Sequence, residues 1–184
     1  MGDLHLVVGG CRSGKSSFAI ELAQKLGRER SFLATAQAYD DEMSERIRRH
    51  KLERDNSWRT IEEPVDILSA LENHGPFEVL LFDCLTLWIS NLMINNLEDT
   101  EIYRQTDLVI TGLRERCQNA VIVSNEVGMG VVPENKMARR FRDLTGRCHQ
   151  IIKQHAKETY VMAVGTPIPL NRLTQMLSDP IHGN

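Results

Sequence analysis

Short, almost wholly apolar runs recur along this chain at residues 4–8, 31–35, 79–82, 120–124 and 160–164. Between them lie longer stretches whose apolar residues return every three or four positions, predicting helices over 15–26, 41–54, 65–72, 85–96, 100–118 and 135–157. Runs this short and this apolar read as strands buried on both faces, and strands alternating with helices read as a parallel sheet covered by helices. The expected fold is therefore α/β, in three layers around a mainly parallel central sheet. In such folds ligands gather beyond the carboxyl ends of the strands, so the residues that follow each apolar run are where chemistry is expected.

The first run leads into Gly9, Gly10, Cys11, Arg12, Ser13, Gly14, Lys15 and Ser16, which fit the pattern G-x-x-x-x-G-K-[ST]. A strand, a glycine-rich turn and a helix aim backbone N–H groups and the positive helix end at one point, where a polyphosphate can sit. Gly9 and Gly14 let the backbone wrap the phosphates, Lys15 reaches the β and γ phosphates, and Ser16 is placed to hold Mg²⁺. A P-loop NTPase (RecA-like) fold that binds a nucleoside triphosphate follows.

Asp83 closes the third run, where a carboxylate helps hold Mg²⁺ in P-loop enzymes; the alternative is a cap on the next helix. Thr35, with Ala34 and Ala36, ends the second run on the same expected side. Asp40, Asp41 and Glu42 then open a helix, where negative charge suits the dipole. Further along that helix His50 stands among Arg46, Arg48, Arg49, Lys51 and Arg54. Neighbouring cations favour the neutral imidazole, the form able to attack phosphorus. Taken alone, though, a histidine on a basic helix reads first as a solvated surface residue. Trp58 is read as a core aromatic, and His5, His74, His149 and His155, which lack ligand spacing, as structural or exposed. The segment 125–135, with Gly128, Gly130 and Pro133, follows the fourth run and reads equally as a structural or a substrate-binding loop.

With 184 residues, 41% of them hydrophobic, the chain is long enough for one well-buried core. The expected organisation is a single P-loop nucleotide-binding catalytic domain over 1–170 and a C-terminal tail over 171–184. The cysteines, Cys11, Cys84, Cys117 and Cys148, lie far apart without C-x-x-C spacing, which points to a reducing compartment. No leader pattern or membrane-length apolar stretch is found, so a cytoplasmic protein is expected. The net charge of −3 argues against general nucleic-acid affinity.

Several segments together resemble one family. They are residues 9–16, Ala34-Thr35-Ala36, the run from Asp40 to Lys51, Trp58 to Glu62, and Asn125 to Asn135. The family is the bifunctional adenosylcobinamide kinase / adenosylcobinamide-phosphate guanylyltransferase of cobalamin biosynthesis, and the match runs in order to about Val164. The resemblance implies two reactions. ATP or GTP phosphorylates adenosylcobinamide, and GTP then guanylylates an enzyme histidine that passes GMP to adenosylcobinamide phosphate, giving adenosyl-GDP-cobinamide with pyrophosphate released. The family's histidine immediately precedes the lysine of the helix, which makes His50 the implied nucleophile; some members carry a second histidine before it, where this chain has Arg49. The same carry-over makes the loop 9–16, residues 34–36, Lys51, Leu52, Glu53 and Arg54, Glu62 and Asp83 nucleotide contacts, with Lys15 catalytic and Ser16 and Asp83 on Mg²⁺.

Related enzymes form propeller-like trimers, so a homo-oligomer is implied, with residues 85–97 serving either as a packing face or as core. A movable His50 helix would let one nucleotide site serve both reactions. Cys11 stands where the family usually has a small residue such as alanine, and the chain continues past the point where many relatives stop. Two other readings stand beside this one: a single-function P-loop small-molecule kinase in which His50 is only a phosphate ligand, and a nucleotide-driven module that uses the basic helix on nucleic acid.

Overall fold

The computed structural model describes residues 1–38, 40–52, 55 and 57–178, with the backbone alone at 46, 49, 50, 52, 177 and 178. In chain order the elements are β1 (Asp3–Gly9), α1 (Lys15–Leu26), β2 (Arg30–Ala34), α2 (Asp41–Leu52), β3 (Trp58–Glu62), α3 (Ile67–His74) and β4 (Phe77–Asp83). They continue with α4 (Leu85–Ile94), α5 (Asp99–Arg116), β5 (Cys117–Asn125), α6 (Lys136–His155), β6 (Glu158–Ala163), β7 (Thr166–Pro169) and α7 (Leu170–Ser178). The sheet runs β3-β2-β4-β5-β1-β6-β7, every neighbouring pair parallel except β6 with β7. This is the three-layer α/β P-loop arrangement expected from the alternating runs.

The five apolar runs are the five inner strands, each within two or three residues of its expected ends. Leu4, Leu6, Leu80, Phe82, Ala120 and Ile122 point to one face, into the core formed with α3, α4, α5 and α6. Val7, Val79, Leu81, Val121 and Val123 point to the other, against Ala19 and Ala23 of α1. Burial on both faces is why these strands read as continuous apolar runs rather than as alternation. The stripe over 85–97 is core: Leu85, Trp88, Ile89, Leu92 and Met93 are all buried.

Two strands were hidden from the pattern. In β3 only Trp58 and Ile61 are buried, because the strand lies at the sheet edge with β2 as its one neighbour. The four-residue β7 contains Pro167 and Pro169, which cannot donate to a ladder and are tolerated at an edge. The helix expected over 100–118 stops at Arg116, since Cys117 both caps α5 and opens β5 with no turn residue between them. The helix expected at 65–72 starts two residues later, where Asp66 caps it by accepting from the Ser69 N–H. Residues 170–178 form α7, which packs on β6; its first turn is tied by the Asn171 N–H to the buried Glu158 carboxylate at 2.8 Å. Of the helix expected over 41–54, residues 53 and 54 lie outside the described residues.

His5 is buried in the central strand β1, and neither ring nitrogen has a hydrogen-bond partner among the described residues. Burial holds its pKa below the ordinary 6.5, against a smaller opposing pull from Asp3. Below pH 6.5 the unfolded chain therefore binds more protons than the folded one, and the stability that neutral His5 contributes above pH 6.5 is lost as pH falls. The urea midpoint of His5→Leu should accordingly fall less than the wild-type midpoint between pH 7.5 and pH 5. Parallel profiles would show that the ring does not titrate differently on folding.

Candidate nucleotide-binding site

Because β1 to β5 are parallel, their carboxyl ends share one edge of the sheet. Register places Ala34 beside both Glu62 and Asp83, Asp83 beside Val123, and Gly9 beside Asn125. Residues far apart in sequence thus form one row above the sheet, with the loop 9–14 at one end and the end of β3 at the other.

The loop is built for close approach. A Cβ at residue 9 would run into Ser13 Oγ and lie 2.9 Å from Met162 Cβ. Gly14 has φ 88°, a conformation open mainly to glycine, and it is the N-cap of α1. The loop is held by the Ser13 N–H to Gly10 O at 3.3 Å and by the Gly165 N–H to Ser13 O at 3.0 Å. Ser13 is buried and its hydroxyl has no partner among the described residues, while Lys15 Nζ folds back to donate to Gly10 O at 3.3 Å. Cys11 and Arg12 form the exposed rim beside the half-buried Gly10, and Ser16 is the second residue of α1.

Asp83 ends β4, and the N-cap of α4 is Cys84, so Asp83 is not the cap of that helix. The Cys84 thiol is pushed up to about 11, chiefly by burial and further by the Asp83 charge, while Lys15 pulls it back down. In the sheet Asp83 ends β4, two places from β1 with β5 between them, and the loop after β1 leads into Lys15 at the start of α1. Beneath them Thr35 is fully buried and bonds Cys84 twice: its hydroxyl accepts from the Cys84 N–H and donates to Cys84 O, each at 2.9 Å. The Thr35 N–H donates to Asp83 O at 3.2 Å, and Asn91 Nδ2 donates to Thr35 O and to Pro64 O. These bonds lock the ends of β2 and β4 together and leave the half-buried Ala34 and Ala36 on the row, with Thr35 buried beneath it as the clasp and not as a contact surface.

At the far end Lys51 Nζ and Glu62 pair at 2.6 Å, with both side chains about half exposed. The contact joins α2 to the tip of β3, and His50 is the helical residue just before it. Nothing is described of the His50 side chain, and Glu53 and Arg54 lie outside the described residues. Asp40 starts α2 as a cap, accepting from the Met43 N–H at 2.7 Å. Trp58 is buried edge-on to Phe32, as its core reading requires.

The last strand-end segment contributes more than its sequence suggested. The Glu126 N–H donates to Gly9 O at 2.9 Å, joining the segment after β5 to the root of the phosphate loop. Asn125 Nδ2 donates to Thr86 Oγ1 at 2.9 Å. His149, read from sequence only as structural or exposed, lies with Nε2 2.7 Å from Ser124 Oγ, and burial depresses its pKa against the raising effect of Glu126. No spacing rule could have paired residues 25 apart on a strand and a helix.

A parallel α/β sheet, a glycine-formed phosphate loop on the first strand and a carboxylate at the end of the strand two places away define a P-loop nucleotide-binding protein. Residues 5–170 match the family described as cobinamide kinase / cobinamide phosphate guanyltransferase, and the chain belongs to that family. It is 39% identical over 166 residues to the bifunctional adenosylcobalamin biosynthesis protein CobP of Pseudomonas aeruginosa, covering 90% of this chain and 95% of the relative. It is 37% identical over 179 residues to the bifunctional adenosylcobalamin biosynthesis protein CobU of Salmonella typhimurium and 35% identical over 178 residues to that of Escherichia coli. Each of these two covers 90% of this chain and 98% of the relative.

Proposed function

We propose that this protein phosphorylates adenosylcobinamide with ATP or GTP and then transfers GMP from GTP to adenosylcobinamide phosphate through a guanylylated His50. The observation that carries the reading is the row of strand ends. It sets the phosphate loop, Ala34, Asp83 and the Lys51–Glu62 pair along one edge within a family named for both reactions. In the kinase step Lys15 turns from Gly10 O toward the β and γ phosphates, and the acceptor hydroxyl attacks the γ phosphorus while the nucleoside diphosphate leaves. In the second reaction an imidazole nitrogen of His50 attacks the α phosphorus, a P–N bond forms and pyrophosphate departs. A phosphate oxygen of the acceptor then attacks the same phosphorus, the P–N bond breaks and a diphosphate linkage forms. Arg48 and Lys51, on the same helix, offer positive charge to the departing pyrophosphate.

Mg²⁺ fits the donors present, one hydroxyl at Ser16 in the first turn of α1 and one carboxylate at Asp83 at the end of β4. Two hard oxygens with nucleotide phosphates suit this ion, which when bound neutralises phosphate charge. Strands lie about 4.8 Å apart, so Glu62, four strands from Gly9, stands roughly 19 Å from the loop. We assign α2 a swing toward the loop as GTP binds. Its tether, a half-exposed ion pair, resists by no more than about 1 kcal/mol. The free thiols support a reducing, cytoplasmic setting. Among the described residues no helix is long and apolar enough to cross a membrane. We adopt the trimer implied by the family resemblance as the working assembly.

The test is to incubate the protein with Mg²⁺ and GTP labelled at the α phosphate, denature it, and follow the label beside His50→Ala. Acid-labile, alkali-stable label on the wild type and none on the variant is expected. An unlabelled wild type that still binds GTP would reduce the protein to a simple kinase.

A further inference from the structure

The segment between β5 and α6, together with the first turn of α6, leaves four large apolar side chains in solvent within nine residues. Met129 is 85%, Val131 95%, Val132 59% and Met137 62% exposed. Single exposed apolar residues are ordinary on a protein surface, but a cluster of this density marks a binding surface.

The backbone that carries them is tied down at both ends. At its start the Glu126 N–H donates to Gly9 O, and the Glu126 carboxylate accepts from the Gly128 N–H. At its finish Arg139 Nη1 donates to Pro133 O at 2.9 Å and to Glu134 O at 2.6 Å. The Asn135 side chain caps α6 by accepting from the N–H groups of Met137 and Ala138. The first anchor is the root of the phosphate loop itself, and the patch begins three residues after it, on the side of the sheet where a phosphoryl acceptor must approach. Methionine and valine side chains offer no hydrogen bonds to phosphates or to a nucleoside, and they suit a broad apolar surface instead.

We infer that Met129, Val131 and Val132 form the platform on which the apolar face of a large macrocyclic acceptor rests while its hydroxyl or phosphate reaches the nucleotide. This assigns the corrin side of cobinamide, rather than the nucleotide, to the segment after β5. It rests on the acceptor proposed above. A short polar alcohol would have no use for such a platform, whereas a corrin ring bears many methyl groups and gains by leaving water.

The experiment compares the wild type with Met129→Ser/Val131→Ser/Val132→Ser and with Met129→Leu/Val131→Ile/Val132→Ile. Steady-state KM is measured separately for cobinamide and for GTP, and oligomeric state is followed by light scattering. The serine variant should raise KM for cobinamide roughly ten- to hundredfold, with KM for GTP within about twofold, while the apolar variant stays near wild type. An unchanged cobinamide KM, an equal rise in both KM values, or a change in oligomeric state as the main effect would overturn the assignment. Labelling of the wild type with α-labelled GTP needs no acceptor. Its failure would strike the guanylyltransferase reading, whereas intact labelling with an unmoved cobinamide KM would strike only the platform.

Discussion

Lys15→Ala is expected to remove cobinamide phosphorylation and self-guanylylation together, each by at least a hundredfold to a thousandfold, the order seen when one charge-stabilising donor is lost from a transition state. The Lys15 side chain donates to Gly10 O at 3.3 Å and, among the described residues, belongs to neither apolar core. The fold should therefore stay intact, with stability within about 0.5 kcal/mol of wild type, as for a surface substitution. A coupled assay of nucleoside diphosphate release, α-label incorporation and thermal melting separates these effects. Retention of either reaction near the wild-type rate would place the phosphates of that reaction away from the loop. Loss of the first reaction alone would mean two independent nucleotide sites instead of one served by a moving α2.

Trp88→Ala should cost the fold more than any other single truncation. Trp88 is the largest side chain in the fully buried set, at 1% exposure, and it lies edge-on to Phe82 with ring centroids 6.2 Å apart. Its indole N–H donates to Val65 O at 2.8 Å, so the substitution opens a cavity and also strips a partner from the backbone just before α3. A loss of about 3–5 kcal/mol is expected, enough to lower the melting temperature by roughly 10 °C in a chain of this size. Guanidinium unfolding of the purified variant checks it. A loss under about 1 kcal/mol would show that α4 collapses into the gap. The same helix holds Asn91 against Thr35 O and Pro64 O, so a shift of α4 would also disturb the ends of β2 and β4.

The chemistry of the phosphate loop was legible because it is local. Gly9, Gly14, Lys15 and Ser16 lie within eight residues, and the backbone demands that select glycine at 9 and 14 act inside the same turn. The inner strands were legible too, since burial on both faces writes itself as an apolar run. Edge strands escaped for the converse reason. In β3 Trp58 and Ile61, three residues apart, are buried in opposite faces of the sheet and leave three exposed polar residues in five, a pattern with neither a run nor an alternation. The prolines of β7 are tolerated because among the described residues its outer edge has no neighbouring strand. Capping by Asp40 followed from composition, whereas the capping alternative for Asp83 failed by one residue, because Cys84 adopts the extended cap conformation before α4.

By itself the sequence determined the alternation of the five inner strands with the first six helices, the position of the phosphate loop on the first strand, and the family to which the chain belongs. All three depend on short-range patterns: period, glycine placement and contiguous motifs. Tertiary structure alone decided that Thr35 clasps Cys84, that Lys51 meets Glu62, that His149 lies against Ser124, and that Glu126 is tied to Gly9. Each pair joins separate elements whose approach depends on sheet order, and sheet order is set by how the apolar faces of strands and helices share the two cores on either side of the sheet, a balance that no local pattern records.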